Sequence, residues 1–398
     1  MILLEFLFWL CCFLIFFNYI GYAIVPFILN KLSSKRTSTP DEFLPTVSFI
    51  VAAYNEEDCI EKKIINSLEQ DYPKDKIEFI FISDGSTDAT PQIINRYSIV
   101  RLLHQSERNG KSAALNRAVN CATGDIIIFS DANTMLNKKA THYMTRHYYN
   151  SKVGGVAGEK KVLIPTYSSD EVANSEGLYW KYESKLKQID SDFYSVVGAA
   201  GELFSVRREL YEHLPSWVIL DDFVVSMRIA QKGYRIIYEP KAFASELPSF
   251  SIGDEHKRKV RIAAGGFQAI AMLPEALKFW KHFRLSYLYI SHRVLRWMVS
   301  PFCLLIAFVA NLILAFSGSQ VYIGLLVAQV VVYFSAMLLH YMPKLGKSFK
   351  LLKLPYYFVF MNISVIQGFF RFLRRKQPST WEKARRSKAD LLESHLTN

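Results

Sequence analysis

The sequence predicts a doubly wound α/β domain with a mostly parallel sheet, carried between membrane-spanning helices. Three observations lead to this expectation. Short apolar runs alternate with helical patterns from about Thr46 to Glu246. Long stretches on either side of that region are almost free of charge. Four successive strand ends carry acids, amides, glycines and a lysine.

The flanks come first. In a chain of 398 residues, 51% are hydrophobic and 14% aromatic, more than an ordinary soluble protein carries. Ile2–Leu29 holds one acid, Glu5; Met298–Gln320 holds no charge, and Val321–Pro343 holds only His340. Each is long enough to cross a bilayer as a helix, which takes about 20 residues. The first stretch lacks the basic start of a signal peptide and reads as an anchor. Lys31, Lys35 and Arg36 follow it, Arg293 and Arg296 precede the second span, and Lys344, Lys347, Lys350 and Lys353 follow the third. The positive-inside rule then puts the middle of the chain in the cytoplasm, in a plasma (inner) membrane protein. Leu354–Phe370 is shorter and more polar, and is followed by "RFLRRK". It is expected to be interfacial or re-entrant, with a cytoplasmic C-terminus.

The net charge of +12 lies largely beside the apolar stretches, where Lys and Arg meet anionic headgroups, so nucleic acid is not an expected partner. The five cysteines show neither zinc spacing nor a disulfide framework. The expected organisation is a membrane helix over 1–30, the α/β domain over 46–250, basic amphipathic interfacial helices over 251–296, membrane or interfacial helices over 297–373, and a basic cytoplasmic tail over 374–398.

Within the middle region, "VSFIVAA" (Val47–Ala53), "IEFIFIS" (Ile77–Ser83), "IVRLL" (Ile99–Leu103) and "DIIIFS" (Asp125–Ser130) read as strands. The segments between them, "EEDCIEKKIINSLEQ", "TDATPQIINRY" and "KSAALNRAVNCA", have apolar residues at helical spacing. This alternation implies parallel strands with helices on both faces, and such sheets bind ligands beyond the carboxyl ends of their strands. Those ends read "AYNEED", "SDGSTDAT", "RNGKS" and "SDANT". Each alone is a good turn or helix cap; together they line one edge. Gly110 and Lys111 open a helix, where backbone N–H groups and an ammonium suit a diphosphate. Asp131 beside phosphates calls for a hard divalent cation. No G-x-G-x-x-G follows the first strand and no G-x-x-x-x-G-K-[ST] occurs, which excludes dinucleotide dehydrogenases and P-loop NTPases.

With "VAAYNEE", "SDGSTDAT", "NGKSAALNRA", "SDAN", "GAAGELFSVRREL" and "LDDFVVSMRIAQKGYRIIYEPKA" in this order, the chain resembles membrane-bound glycosyltransferase family 2 enzymes of the GT-A fold, related to the polysaccharide-synthase type. The resemblance implies transfer of a sugar from a nucleotide donor, often UDP-linked in the family, with inversion. It implies that Tyr54, Glu56 and Asp84 line the nucleoside pocket, that Lys111 lies near the phosphates, and that Asp131 contacts metal and diphosphate. Asn133 stands where the family has its second metal-binding acid, so Asp131 and Asn133 are the implied ligands for Mg²⁺ or Mn²⁺. Asp222 falls at the catalytic base, although Asp221 or Asp222 would also cap the helix "FVVSMRIAQKG".

Processive synthases carry Q-x-x-R-W where this chain has Arg258-x-x-Arg261-Ile262. The two arginines are expected to meet the diphosphate, and loss of the Trp points to limited addition. A basic amphipathic helix on the membrane surface is the alternative reading of the same segment. Tyr179, Trp180 and Tyr182 read chiefly as packing or interface aromatics, and sugar contact is the lesser expectation. Trp381 and Arg385 of the tail are expected either to approach the cleft or to belong to a solvated, membrane-bound tail. The expected acceptor is a glycan or lipid-linked molecule in envelope or extracellular polysaccharide or glycolipid synthesis. The alternatives are a polyprenyl-phosphate glycosyltransferase and a non-catalytic nucleotide-sugar-binding subunit.

Overall fold

The computed structural model describes residues 1–32, 43–163, 171–249, 251–342 and 353–375, with backbone only for 171–178. Lys35, Arg36, Lys344, Lys347, Lys350, Trp381 and Arg385 lie outside the described residues. Eight strands form one sheet: β1 (Val47–Ala53), β2 (Ile77–Asp84), β3 (Val100–Gln105), β4 (Ile126–Asp131), β5 (Met135–Leu136), β6 (Val153–Val162), β7 (Leu203–Arg207) and β8 (Arg235–Glu246). Their order is β3-β2-β1-β4-β7-β6-β8-β5.

The first four expected strands are present and parallel, Val47 pairing with Ile77 on one side and Ile126 on the other. β1 is buried along its whole length, which is why it reads as an unbroken apolar run. Alternate residues feed two cores. Phe49, Val51, Phe79, Ile126 and Ile128 face one, beside the Ile60–Leu68 helix. Ile50, Ile80, Ile127 and Phe129 face the other, beside the helices Lys111–Cys121 and Asp221–Gln231. The sheet is mixed beyond β4, because β7 pairs with β4 antiparallel and β6 with β7 likewise. That reversal carries the "GAAGE" segment to the end of β4.

Among the described residues, four helices are long and apolar enough to cross a membrane: Ile2–Leu32, Phe283–Ala315, Gln320–Tyr341 and Lys353–Leu373. Phe8 and Cys11 of the first pack with Cys303, Ala307 and Ala310 of the second, and Asn18 Nδ2 donates to Ser300 Oγ at 2.7 Å. The second helix runs unbroken across residues 296 and 297, through a π-helical stretch at Ile290–Val299. Arg293 and Arg296 on this stretch are largely buried. They bind Glu183 of the helix Glu171–Phe193 at 2.9 and 2.7 Å. His292 completes this buried cluster, 2.6 Å from Asp190 and 3.0 Å from Glu183. Removing one partner would strand a buried charge, so the cluster pins the α/β domain to its membrane helices.

The helix Ile252–Met272 links the domain to those helices. It packs beside Lys353–Leu373 in parallel register: Ser364 and Gln367 bond His256, Gly368 meets Ala263, and Phe372 stacks on Phe267. A Cβ at Gly368 would lie 2.5 Å from that of Ala263 and 2.9 Å from the Val260 carbonyl. Overpacking of this kind costs about 1–3 kcal/mol. Gly368→Leu is therefore expected to lower the thermal unfolding midpoint of the protein in lipid nanodiscs. An unchanged midpoint would mean that the two helices do not meet there.

Candidate active site

The carboxyl ends of β1, β2 and β4 bring most of the expected residues to one edge. Asn55, after β1, takes a left-handed φ of 52°. It accepts from the Thr87 N–H at 2.8 Å and donates its own N–H to Ser86 at 3.1 Å, tying the β1 and β2 ends together. The Glu56 N–H donates to Thr90 at 2.8 Å, and its carboxylate accepts from Cys59. The Tyr54 ring carries the Arg108 guanidinium on its face at 3.6 Å. Arg108 opens the "RNGKS" segment, but a single Arg there has no distinguishing spacing, and the sequence alone assigns it no role.

Asp84 is fully buried. Its oxygens accept from the N–H groups of Gly110 at 2.7 Å and Asn109 at 3.3 Å, and Arg117 lies 3.2 Å away. Asp84 thus fixes the turn from which Lys111 starts its helix. Lys111 Nζ lies 2.8 Å from Asp131 Oδ1 and 3.7 Å from Asp221 Oδ2. Burial opposes its charge, yet Asp131, Asp221 and Asp222 together hold its pKa well above the usual lysine value.

The helix starts at Asp221 with Leu220 at its N-cap and no side-chain cap hydrogen bond, so Asp221 and Asp222 lie in its first turn and neither serves as the cap that the sequence offered. Burial raises both carboxyls; Asp222 is pushed up to about 7, with repulsion from Asp221 adding to burial and Lys111 opposing. Gly201 lies against this pair of groups. A Cβ there would be 3.3 Å from Lys111 Nζ and 3.4 Å from Asp222 Oδ2. The turn after β6 and its following helix therefore roofs the acid-lysine cluster with bare backbone.

Asp131 is about one-third exposed, and its turn is held by Thr134, which donates to the Asp131 carbonyl at 3.0 Å. From beneath, the fully buried Lys63 donates to Ser130 at 2.7 Å and to the Thr134 carbonyl at 2.8 Å. Burial depresses the Lys63 ammonium to about 7, with Asp131 pulling the other way. Among the described residues no group of three His, Cys, Asp or Glu converges as a metal cage. Asp131 and Asn133 instead offer an open carboxylate and an amide two residues apart. That is a donor set suited to a hard ion whose other ligands come from phosphate and water.

The two arginines separate. Arg261 sits one helical turn from Gly265, which packs on Leu220 just before Asp221. Burial lowers its pKa, and Asp221 and Asp131 pull it back, which puts its charge beside the cluster. Arg258 faces carboxylates instead, 3.7 Å from Glu202 and Glu246 and 3.4 Å from Glu255. The aromatics of the Glu171–Phe193 helix have packing partners. Lys160, Lys187 and Lys259 lie over the Trp180 ring at 4.9, 5.5 and 5.6 Å. Tyr179 packs on Tyr357, and Tyr182 donates to the Tyr19 carbonyl.

A parallel four-stranded core extended by antiparallel strands, with an acid at the end of β4, defines the GT-A class. A solved structure of the mannosyltransferase PcManGT from Pyrobaculum calidifontis, in complex with GDP-Man and Mn²⁺, superposes with a TM-score of 0.70. The match covers 93% of this chain and 100% of that one at 24% identity. Residues 48–214 match the family described as glycosyl transferase family 2. Poly-beta-1,6-N-acetyl-D-glucosamine synthase of Staphylococcus aureus is 29% identical over 253 residues, 61% of this chain and 60% of that protein. The probable glycosyltransferase YdaM of Bacillus subtilis is 28% identical over 224 residues, 51% of each chain. The alignment thus spans about three-fifths of the length of the synthase.

Proposed function

We propose that the protein is an inverting membrane glycosyltransferase. It moves a sugar from a nucleotide donor, with UDP as the expected nucleotide, onto a hydroxyl of a glycan or lipid-linked acceptor in polysaccharide or glycolipid synthesis. The observation that carries this reading is the convergence of Lys111, Asp131 and the Asp221–Asp222 pair under Gly201. Lys111, with the N-terminus of its helix, holds the diphosphate. Asp131 and Asn133 would hold Mg²⁺ or Mn²⁺, which when bound neutralises charge on the departing diphosphate. Tyr54, Glu56 and Asp84 frame the nucleoside side of the site, and Arg261 adds positive charge at its membrane-facing helix. Arg258 acts on the diphosphate only if it leaves its carboxylates.

Asp222 accepts the proton of the attacking hydroxyl. A carboxylate with a pKa of about 7 is a far stronger base than an ordinary one and is still ionised in a useful fraction at neutral pH. Attack on the face opposite the diphosphate inverts the anomeric centre in one displacement. This tuning favours a hydroxyl acceptor over a polyprenyl phosphate, whose oxygen is already ionised and needs no base. The domain faces the cytoplasm, where nucleotide sugars are made.

The test is release of nucleoside diphosphate by the full chain in nanodiscs, with Mg²⁺ or Mn²⁺, across a panel of nucleotide sugars and acceptors. Metal-dependent release with one donor is expected. Tight UDP binding with no turnover of any donor would instead support a non-catalytic subunit.

A further inference from the structure

Glu202 follows Gly201 and joins three parts of the molecule. Its carbonyl accepts from Ser130 Oγ at 3.1 Å and Thr134 Oγ1 at 3.4 Å, the residues that bracket the Asp131 turn. Its carboxylate takes the Lys160 ammonium at 2.7 Å, with Arg258 at 3.7 Å. The preceding glycine lies on Asp222 and Lys111.

Lys160 is the centre of this arrangement. Its side chain is 0% exposed and pairs with both Glu202 and Glu246. Arg258 and Lys259 complete the cluster through Glu255, so three cations face three carboxylates. Such a network is held by its balance: deleting one ammonium leaves buried carboxylates repelling each other. Glu246 lies in β8 and Glu255 in the helix Ile252–Met272, whereas Glu202 lies in the turn between Gly201 and β7. Loss of Lys160 therefore acts on that turn through Glu202.

We propose that Lys160 is a positioning residue for the transfer step: it fixes Glu202, and Glu202 holds the Gly201 turn over Asp222 and Lys111. Lys160 touches no substrate. The assignment rests on the glycosyltransferase reading above, and it gives the unexpected lysine inside β6 a part in the chemistry. It also makes Arg258 a brace between the catalytic turn and the membrane-facing helix.

The experiment compares wild type, Lys160→Met, Lys160→Arg, Glu202→Gln and the double variant Lys160→Met with Glu202→Gln, each as the full chain in nanodiscs. Turnover number and donor KM are measured, with UDP binding by calorimetry and thermal midpoints as a folding control. Displacing a catalytic group by about 1 Å can cost ~100-fold. Lys160→Met is expected to lower kcat about 10- to 100-fold while donor KM and UDP affinity stay within about threefold. Lys160→Arg, which keeps the charge, retains more activity than Lys160→Met. The double variant is less impaired than Lys160→Met, because it removes the stranded carboxylate, and the two changes are non-additive. If Lys160→Met does not fold, the nearly isosteric Glu202→Gln carries the test, with the same selective fall in kcat expected. Wild-type kcat in the folded variant, a loss confined to KM, or additive changes in the double variant would each overturn the assignment. A wild type that turns over no donor overturns the transferase reading itself, and this assignment with it.

Discussion

Asp222→Asn is expected to lower turnover by about 10²- to 10⁴-fold, the usual contribution of a general base, while UDP binding is retained. Asn keeps the shape of the side chain and its place at the helix start but cannot accept the hydroxyl proton. The wild-type pH profile follows from the same group. Only the ionised carboxylate acts as a base, so kcat/KM should rise with pH and level off above about 7, the value to which burial and Asp221 push Asp222. Stability runs the other way. The folded protein holds the Asp222 proton up to about 7, whereas an ordinary aspartate releases it near 3.8. Across that window the folded state binds more protons than the unfolded one, so this group's contribution to stability falls as pH rises. Asp222→Asn should therefore raise the thermal midpoint relative to wild type at pH 8, with the difference vanishing at acid pH. Full turnover by the variant would remove Asp222 from the chemistry, and a midpoint lower than wild type at pH 8 would show that its burial carries no penalty.

Asp131→Asn should weaken metal-dependent donor binding and reduce kcat/KM by about 10²- to 10³-fold, in the range seen when a group that stabilises developing charge is removed. The substitution preserves the turn, because Thr134 bonds the Asp131 backbone and Lys63 bonds Ser130 and the Thr134 carbonyl. It removes the negative charge 2.8 Å from Lys111, leaving the ammonium to the charges of Asp221 and Asp222. Mn²⁺ titration followed by electron paramagnetic resonance, in the presence of UDP, measures the effect directly. Unchanged Mn²⁺ affinity with unchanged activity would mean that other oxygens hold the ion.

These two effects differ in where they act. Asp131 is expected to matter in donor KM and metal affinity as well as in the transfer step, and Asp222 only in the transfer step. Lys160, if it positions the Gly201 turn, groups with Asp222 although it lies in β6 and has no exposed surface. Measuring kcat and KM separately for all three distinguishes holding the donor from activating the acceptor.

Much of this protein is legible in the amino-acid order. Continuous apolar runs define β1, β2 and β4, because a strand buried on both faces has no polar side to show. Parallel connectivity then puts Asp84, Lys111 and Asp131 at one edge, and the length of the uncharged stretches marks the membrane helices. The tertiary structure alone decided the rest. The antiparallel insertion of β7 beside β4 brings Gly201 onto Asp222. Arg258, which sequence reading sends to the diphosphate, is drawn to Glu202, Glu246 and Glu255. Arg293 and Arg296, which read only as positive-inside charges before the second span, are committed to Glu183. The physical reason is the same in each case. Backbone periodicity is a local property written every two to four residues, whereas the partner of a buried charge is chosen by what folding brings beside it from far along the chain.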